Sequence, residues 1–306
     1  MLKRFLLFVA LTLAGPVSAT NYLVSPANMA AVFARLSSGD TVKVAPLVPA
    51  NTLLPTANIS GVFSPPITID FTGYRVRNVL GTMDGVTIRG GTYDPGTTAP
   101  YAICCSYTNT KLLGVTTVSG RMGIVGDMKS VYIENYDCSG VRADCLHSSA
   151  LNNVEVNGLY CHGSKIDPGA HPDCFQMLPT SDTSVRDVKI RNGYVADNTQ
   201  GFNNFNSGKP FVITNLDIAN VMVYIDQIQG VSFENCRNCR YDNIVEIPRP
   251  GNKYWVHILP GNSKQMTTMN FTGSVTNISG AAPGSGIVPP PWKPSPQRYP
   301  ATVTAR

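Results

Sequence analysis

Past its first residues, this 306-residue chain has no apolar run long enough to cross a bilayer. It also lacks the dense Lys/Arg clusters that mark a nucleic-acid binder, so no nucleic-acid partner is expected. Histidine is scarce, at four residues. Helical patterning is nearly absent, and a single segment reads as a helix. What remains is a β-rich, Asn- and Gly-punctuated chain that is expected to be soluble and monomeric.

The N-terminus reads as a targeting segment. Lys3 and Arg4 form a positive n-region, Phe5 to Ala14 an apolar stretch, and Val17-Ser18-Ala19 a small-residue cleavage site. We expect a signal peptide over residues 1–19, cut after Ala19, and a secreted or periplasmic product. Removing it leaves 22 Lys and Arg against 19 Asp and Glu, a net charge of +3. That mild positive balance suits an acidic polymer. Residues 20–280 are long enough for one substantial core. From Ala281 the chain becomes Gly-, Pro- and Ser-rich, and 281–306 reads as a tail that Trp292 could pin to the body.

Ser25 can N-cap a helix, Pro26 suits its first position, and Met29, Val32, Phe33 and Leu36 fall on one face, so a helix is predicted over 26–36. After it comes strand after strand. Ile67-Thr68-Ile69-Asp70-Phe71 and Val86-Thr87-Ile88-Arg89 alternate. Similar units begin near Leu112, Val131, Val154, Val188 and Val231, at steps of 26, 19, 23, 34 and 43 residues. The 34-residue step reads as one repeat with an insertion, and the 43-residue step as two repeats, one near Ile213 to Ile218. Strand-built repeats of about 20–25 residues mean a solenoid. Asn135, Asn153, Asn157, Asn192 and Asn235 sit at expected corners. A sandwich or propeller would use Asn-Gly hairpins, but Asn157-Gly158 and Asn192-Gly193 fall inside equivalent units and read as one repeated corner. The expected fold is all-β: a single-stranded right-handed parallel β-helix whose N-terminal end the amphipathic α-helix caps.

One phrase occurs twice: Arg142-Ala143-Asp144-Cys145-Leu146-His147, then His171-Pro172-Asp173-Cys174-Phe175-Gln176. In a solenoid the two copies become stacked neighbours. Cys138 and Cys161 would share one slot, and Cys145 and Cys174 another. Stacked strands lie about 4.8 Å apart, within the Cα range of a disulfide. These four cysteines are therefore disulfide candidates, with a ladder of buried free thiols as the alternative. Cys236-Arg237-Asn238-Cys239 has zinc-knuckle spacing but no second pair to complete a site. The adjacent Cys104 and Cys105 receive no reading.

The opening helix, Ser38-Gly39-Asp40-Thr41-Val42, Ile67-Thr68-Ile69-Asp70 and Val86-Thr87-Ile88-Arg89-Gly90-Gly91 resemble the N-terminal region of the pectate lyase-like superfamily. The resemblance covers about residues 22–280. It implies a right-handed parallel β-helix acting on polysaccharides by elimination or hydrolysis. Asp144-Cys145-Leu146-His147, Asp173-Cys174-Phe175 and Gln200-Gly201-Phe202-Asn203 are similar in layout to polygalacturonase-type glycoside hydrolases. Those carry two adjacent aspartates in the second motif, where this chain has Pro172 before a single Asp173, and a Gly-His-Gly where it has Gln200-Gly201-Phe202.

Three of the four histidines, His147, His162 and His171, fall within this strip, along with Arg142, Lys165 and Asp167. Three chemistries fit. In β-elimination on a uronate, Arg142 or Lys165 neutralises the carboxylate and His171 or His147 removes the proton; Asp144, Asp167 and Asp173 could instead hold Ca²⁺ there. In hydrolysis, Asp144 and Asp173 are the carboxyl pair. As a zinc site, the three histidines and an aspartate would be ligands. His162, Gln176, Asn203 and Asn206 are candidate substrate contacts, and Gln176 and Asn203 could alternatively stack as a buried amide ladder. The basic residues and the missing second aspartate favour a lyase of acidic polysaccharide. A hydrolase is the alternative, and a non-catalytic glycan-binding or surface β-helix the third reading.

Overall fold

The computed structural model describes residues 18–197, 199–204, 212–225, 230–233, 236–248 and 278–280. Most of the expected signal segment, Asn206, Asn235 and the 281–306 tail lie outside the described residues. The chain is a parallel β-solenoid of about nine turns with almost no helix. No helix among the described residues is long and apolar enough to cross a membrane.

Each coil lays strands on three faces, and equivalent residues stack from coil to coil. On the first face the inward line is Ile103, Ile124, Leu146, Phe175, Phe202 and Val231. On the second it is Ile69, Ile88, Leu112, Ile133, Val156, Ile190, Ile218 and Tyr241. On the third it is Tyr93, Thr117, Cys138, Cys161, Val195 and Val223. All of these are buried, and together they fill the solenoid. Such a core exists only because a coil's unpaired strand edges and apolar side chains are covered by the next coil.

The expected solenoid and its steps from Val131 to Val154 to Val188 hold. Two unit starts shift. Leu112 stacks on Ile133, not Val131. The unit expected near Ile213 to Ile218 does follow Val188, through Leu216, but Val231 stacks on Phe202 on the first face instead of continuing that line. Period-two alternation is the same on every face, so the pattern identifies a strand without saying which face it serves. The extra residues of the long step are split between the turn before the strand Asp173–Met177 and the turn between it and Val185–Val195.

Two corner lines hold the turns. Asn109, Ser130, Asn153, Asp187, Asn215 and Asn238 all take φ between 47° and 56°. Their side chains bond along the axis: Asn215 Nδ2 donates to Asp187 Oδ1 at 2.8 Å and Asn238 Nδ2 to Asn215 Oδ1 at 3.3 Å. Asn tolerates this left-handed conformation and links to its stacked neighbour, which explains its abundance. The second line holds Asn135, Gly158, Asn192 and Asn220. Here Gly158 stacks beside Asn192, so the two Asn-Gly pairs are offset by one residue rather than equivalent. A Cβ on Gly158 would sit 2.7 Å from Asn135 Oδ1.

The helix is shorter than predicted, Met29–Phe33. Ser25 does not cap it; the Asn28 side chain accepts from Ser25 N at 2.7 Å and donates to Leu23 O, holding 25–28 in a turn. Met29, Val32 and Phe33 are buried, Leu36 packs on the core, and Phe33 stacks on Phe71 with ring centres 6.4 Å apart. This covers the first coils as a cap must.

The cysteine pairing differs from the stacked-slot expectation. Cys138 and Cys161 are in register on adjacent coils, yet each bonds within its own coil: Cys138–Cys145 with Cα atoms 5.8 Å apart, and Cys161–Cys174 at 5.4 Å. Stacked residues have parallel Cα–Cβ vectors, so their Cβ atoms stay a full strand spacing apart, wider than the roughly 3.8 Å a disulfide needs. Across a coil the vectors converge. Cys236–Cys239 and Cys104–Cys105 are also disulfides, so the zinc-knuckle spacing marks a disulfide. Peptide mapping of the unreduced protein should recover 138–145 and 161–174 linkages; a 138–161 peptide would overturn the assignment. Cys138→Ser with Cys145→Ser should cost about 2–3 kcal/mol in urea unfolding, as expected for closing a short loop.

Candidate functional site

The doubled phrase comes together on the first face. Phe175 stacks on Leu146 and Gln176 on His147, and the Cys145 amide donates to the Asp173 carbonyl at 2.8 Å. Asp144 and Asp173 therefore occupy neighbouring coils at one level. The Asp173 amide donates to Asp144 Oδ1 at 3.2 Å. Asp144 Oδ2 lies 2.8 Å from His147 Nδ1. Asp173 Oδ2 accepts from Gln176 Nε2 at 3.0 Å, and Asp173 Oδ1 from Asn203 Nδ2 at 2.6 Å.

A local pattern underlies this geometry. Asp144 and His147, Asp173 and Gln176, Gln200 and Asn203 are each three residues apart, at the same place in three successive coils. The first member of each pair is buried: Asp144 is 4% exposed, Asp173 and Gln200 0%. His147 reaches the surface, with 22% of its side chain exposed. Of the set, the aspartates are a buried floor, and His147 and Gln176 are the partly exposed groups.

The two carboxyls are not equivalent. Burial, followed by the negative charge of Asp144, pushes Asp173 well above the usual carboxylate range, against the lowering hydrogen bond from Asn203. When Asp144 accepts from His147 Nδ1–H, the ring is held in the tautomer whose lone pair is on Nε2.

The insertion packs against the preceding coil's turn. Lys165 N donates to Val141 O at 2.7 Å and Gly140 N to Gly163 O at 3.1 Å. Buried Ser164 and Thr199 share a 2.7 Å hydroxyl contact, and Gln200 N donates to Pro172 O at 2.6 Å. Lys165 and His171 are exposed on this loop. Arg142 is half-buried and pairs with Asp167 at 3.3 Å.

Several expected groupings are corrected. Asp144, Asp167 and Asp173 form no calcium cage: Asp167 turns to Arg142, and the oxygens of Asp173 are taken by the two amides. His147, His162 and His171 do not share one strip. His162 closes the third face, 3.1 Å from Asp137 Oδ1 and stacked on Tyr160 with ring centres 4.1 Å apart. Among the described residues no group of three His, Cys, Asp or Glu could hold a metal ion, so the zinc set fails as well. Gln176 and Asn203 do stack, but each bonds Asp173 rather than the other.

Gln200 was legible only as a departure from a motif. It lies in register beneath Asp173, and neither atom of its buried amide finds a partner among the described residues. The three-residue spacing repeated in three coils was the signal that could have found it.

The chain matches no protein-family model, no curated protein and no solved structure, so the site is read from its own geometry. A carboxyl whose pKa is raised on folding favours the folded state below its unfolded value, about 4. That stability is lost as pH rises towards the raised native value, because the unfolded chain then binds fewer protons than the native one. Urea midpoints measured across pH should therefore fall more steeply above about pH 4 for the parent than for Asp173→Asn. Parallel pH curves would show that Asp173 is ionised in the fold.

Proposed function

We propose that this is an exported enzyme that cleaves an acidic, uronate-containing polysaccharide by β-elimination, with His147 as the base. The observation that carries the reading is the Asp144–His147 pair at 2.8 Å, with the histidine at the surface and the carboxylate buried behind it. An oriented imidazole with its Nε2 facing outward can take the proton next to a uronate carboxylate. The electron pair then forms the ring double bond as the glycosidic oxygen leaves, and that oxygen receives a proton from the imidazolium or from water. Lys165 and Arg142, on adjoining turns, supply positive charge for the substrate carboxylate. Arg142 already answers Asp167, so Lys165 is the stronger choice.

Asp173 takes a positioning role. It is wholly buried with both oxygens bonded, so it has no path to a glycosidic oxygen, and its amide steadies Asp144. The second reading, hydrolysis, draws on the same two residues: neighbouring carboxyls, one with its pKa raised, match the acid-and-partner division of glycosidases. The burial of Asp173 weighs against it. The convergence of Asp144 and Asp173 likewise weighs against a purely structural or glycan-binding role. The N-terminal leader pattern and the four disulfides favour action in an oxidising compartment.

The test is incubation with a panel of uronate polymers. An ultraviolet-absorbing unsaturated product is expected. New reducing ends without it would select hydrolysis, and binding without cleavage the non-catalytic reading. His147→Ala should lower kcat by about 10²–10⁴-fold with the fold intact by circular dichroism; retention of full activity would remove His147 from the mechanism.

A further inference from the structure

Four disulfides are present among the described residues, and one differs from the rest in where it lies. Cys138, Cys145, Cys161, Cys174 and Cys239 are 0% exposed and Cys236 1%, sealed inside the solenoid. Cys104–Cys105 joins adjacent residues in the strand Tyr101–Thr108, on the first face, and Cys105 is exposed. Thiol–disulfide exchange requires that an incoming thiolate reach a sulfur. Only this pair meets that condition.

Its position relates it to the candidate site. Cys104 stacks on Val125, and Val125 on His147, so the sulfur pair stands two coils from the histidine in the same line. Cys105 lies between Gly81 and Gly126 in the stack. Neither stacked neighbour carries a side chain, in keeping with the exposure of Cys105. The contact with Gly126 is tight: at φ 142°, a Cβ there would sit 1.9 Å from the Cys105 carbonyl oxygen. The disulfide closes a small ring that includes the peptide unit between the two cysteines. Opening the ring frees that unit and the Cys105 Cα that closes it, and the Cys105 carbonyl, attached to that Cα just outside the ring, bears directly on Gly126, the neighbour of Val125.

We propose that Cys104–Cys105 is a thiol-exchange site through which a dithiol, small-molecule or protein, changes the first face and with it the setting of His147. A thiolate of the dithiol attacks Cys105 Sγ, the S–S bond breaks, and Cys104 leaves as a thiolate that takes up a proton. The second thiol then attacks the mixed disulfide, releasing Cys105 and leaving the dithiol oxidised. The two electrons end on the cysteines. The effect on catalysis rests on the reading of His147 above; the exchange itself does not.

The experiment uses the native protein and dithiothreitol, followed by iodoacetamide and peptide mass spectrometry. Cys104 and Cys105 should be labelled at least about tenfold faster than the other six cysteines. Equal labelling across all pairs, or none at Cys104 and Cys105, would overturn the proposal. Coupling is read by the imidazole proton resonances, assigned with His147→Gln. Reduction, or Cys104→Ser with Cys105→Ser, should move the His147 signal and leave that of His162 in place. An unmoved His147 signal would sink the coupling. Because neither readout needs turnover, failure here is separable from failure of the lyase reading.

Discussion

Parallel stacking at a single coil spacing is the constraint on which the rest depends. Each strand hydrogen-bonds to its equivalent one coil away, so every residue has its own counterpart for a neighbour. For apolar residues this is favourable, and it yields the uninterrupted inward lines of Ile, Val, Leu and Phe. For Asn at corners it is also favourable, since amide can bond amide along the axis. For charges it is a cost unless signs alternate. On the outer line of the second face they do: Glu155, Lys189, Asp217 and Arg240 are successive neighbours, and Asp217 pairs with both Arg191 and Arg240. Exposed pairs of this kind contribute little each, but they remove the repulsion that stacking would otherwise impose.

Asp144 and Asp173 are the exception, and that marks them. Two carboxyls are stacked at a buried level of the first face, and among the described residues neither is bonded to a Lys or Arg. The fold accommodates them by raising the Asp173 pKa through burial and by placing amide donors on its oxygens. A position that works against the stacking rule invites a functional reading. The surface-facing partner of the pair, His147, then has a carboxylate behind it that is held in place by a backbone amide and shielded from water.

The solenoid, its capping helix and the 23- and 34-residue steps were legible because strand alternation and Asn-marked corners repeat along the chain. Face assignment was not, since Val231 and Leu216 look alike to a period-two pattern. Cysteine pairing is not legible from a shared slot, because the direction of the Cα–Cβ bonds, not stacking, decides which sulfur atoms meet. The doubled phrase correctly brought Asp144 and Asp173 together. It could not show that His162 belongs to another face, because sequence nearness says nothing about which way a coil has turned between residues 147 and 162. The exposure of Cys105 was equally hidden, as adjacent cysteines carry no periodic signal.

The three-residue pairs of the first face separate two properties that most folds entangle. Local geometry is set within a coil, and position along the axis is set by counting coils. An insertion or deletion of a whole coil away from these three would lengthen or shorten the first face without disturbing the bonds between Asp144, His147, Asp173 and Asn203. The reach of the molecule along an extended ligand and the chemistry at one point on it can therefore change independently.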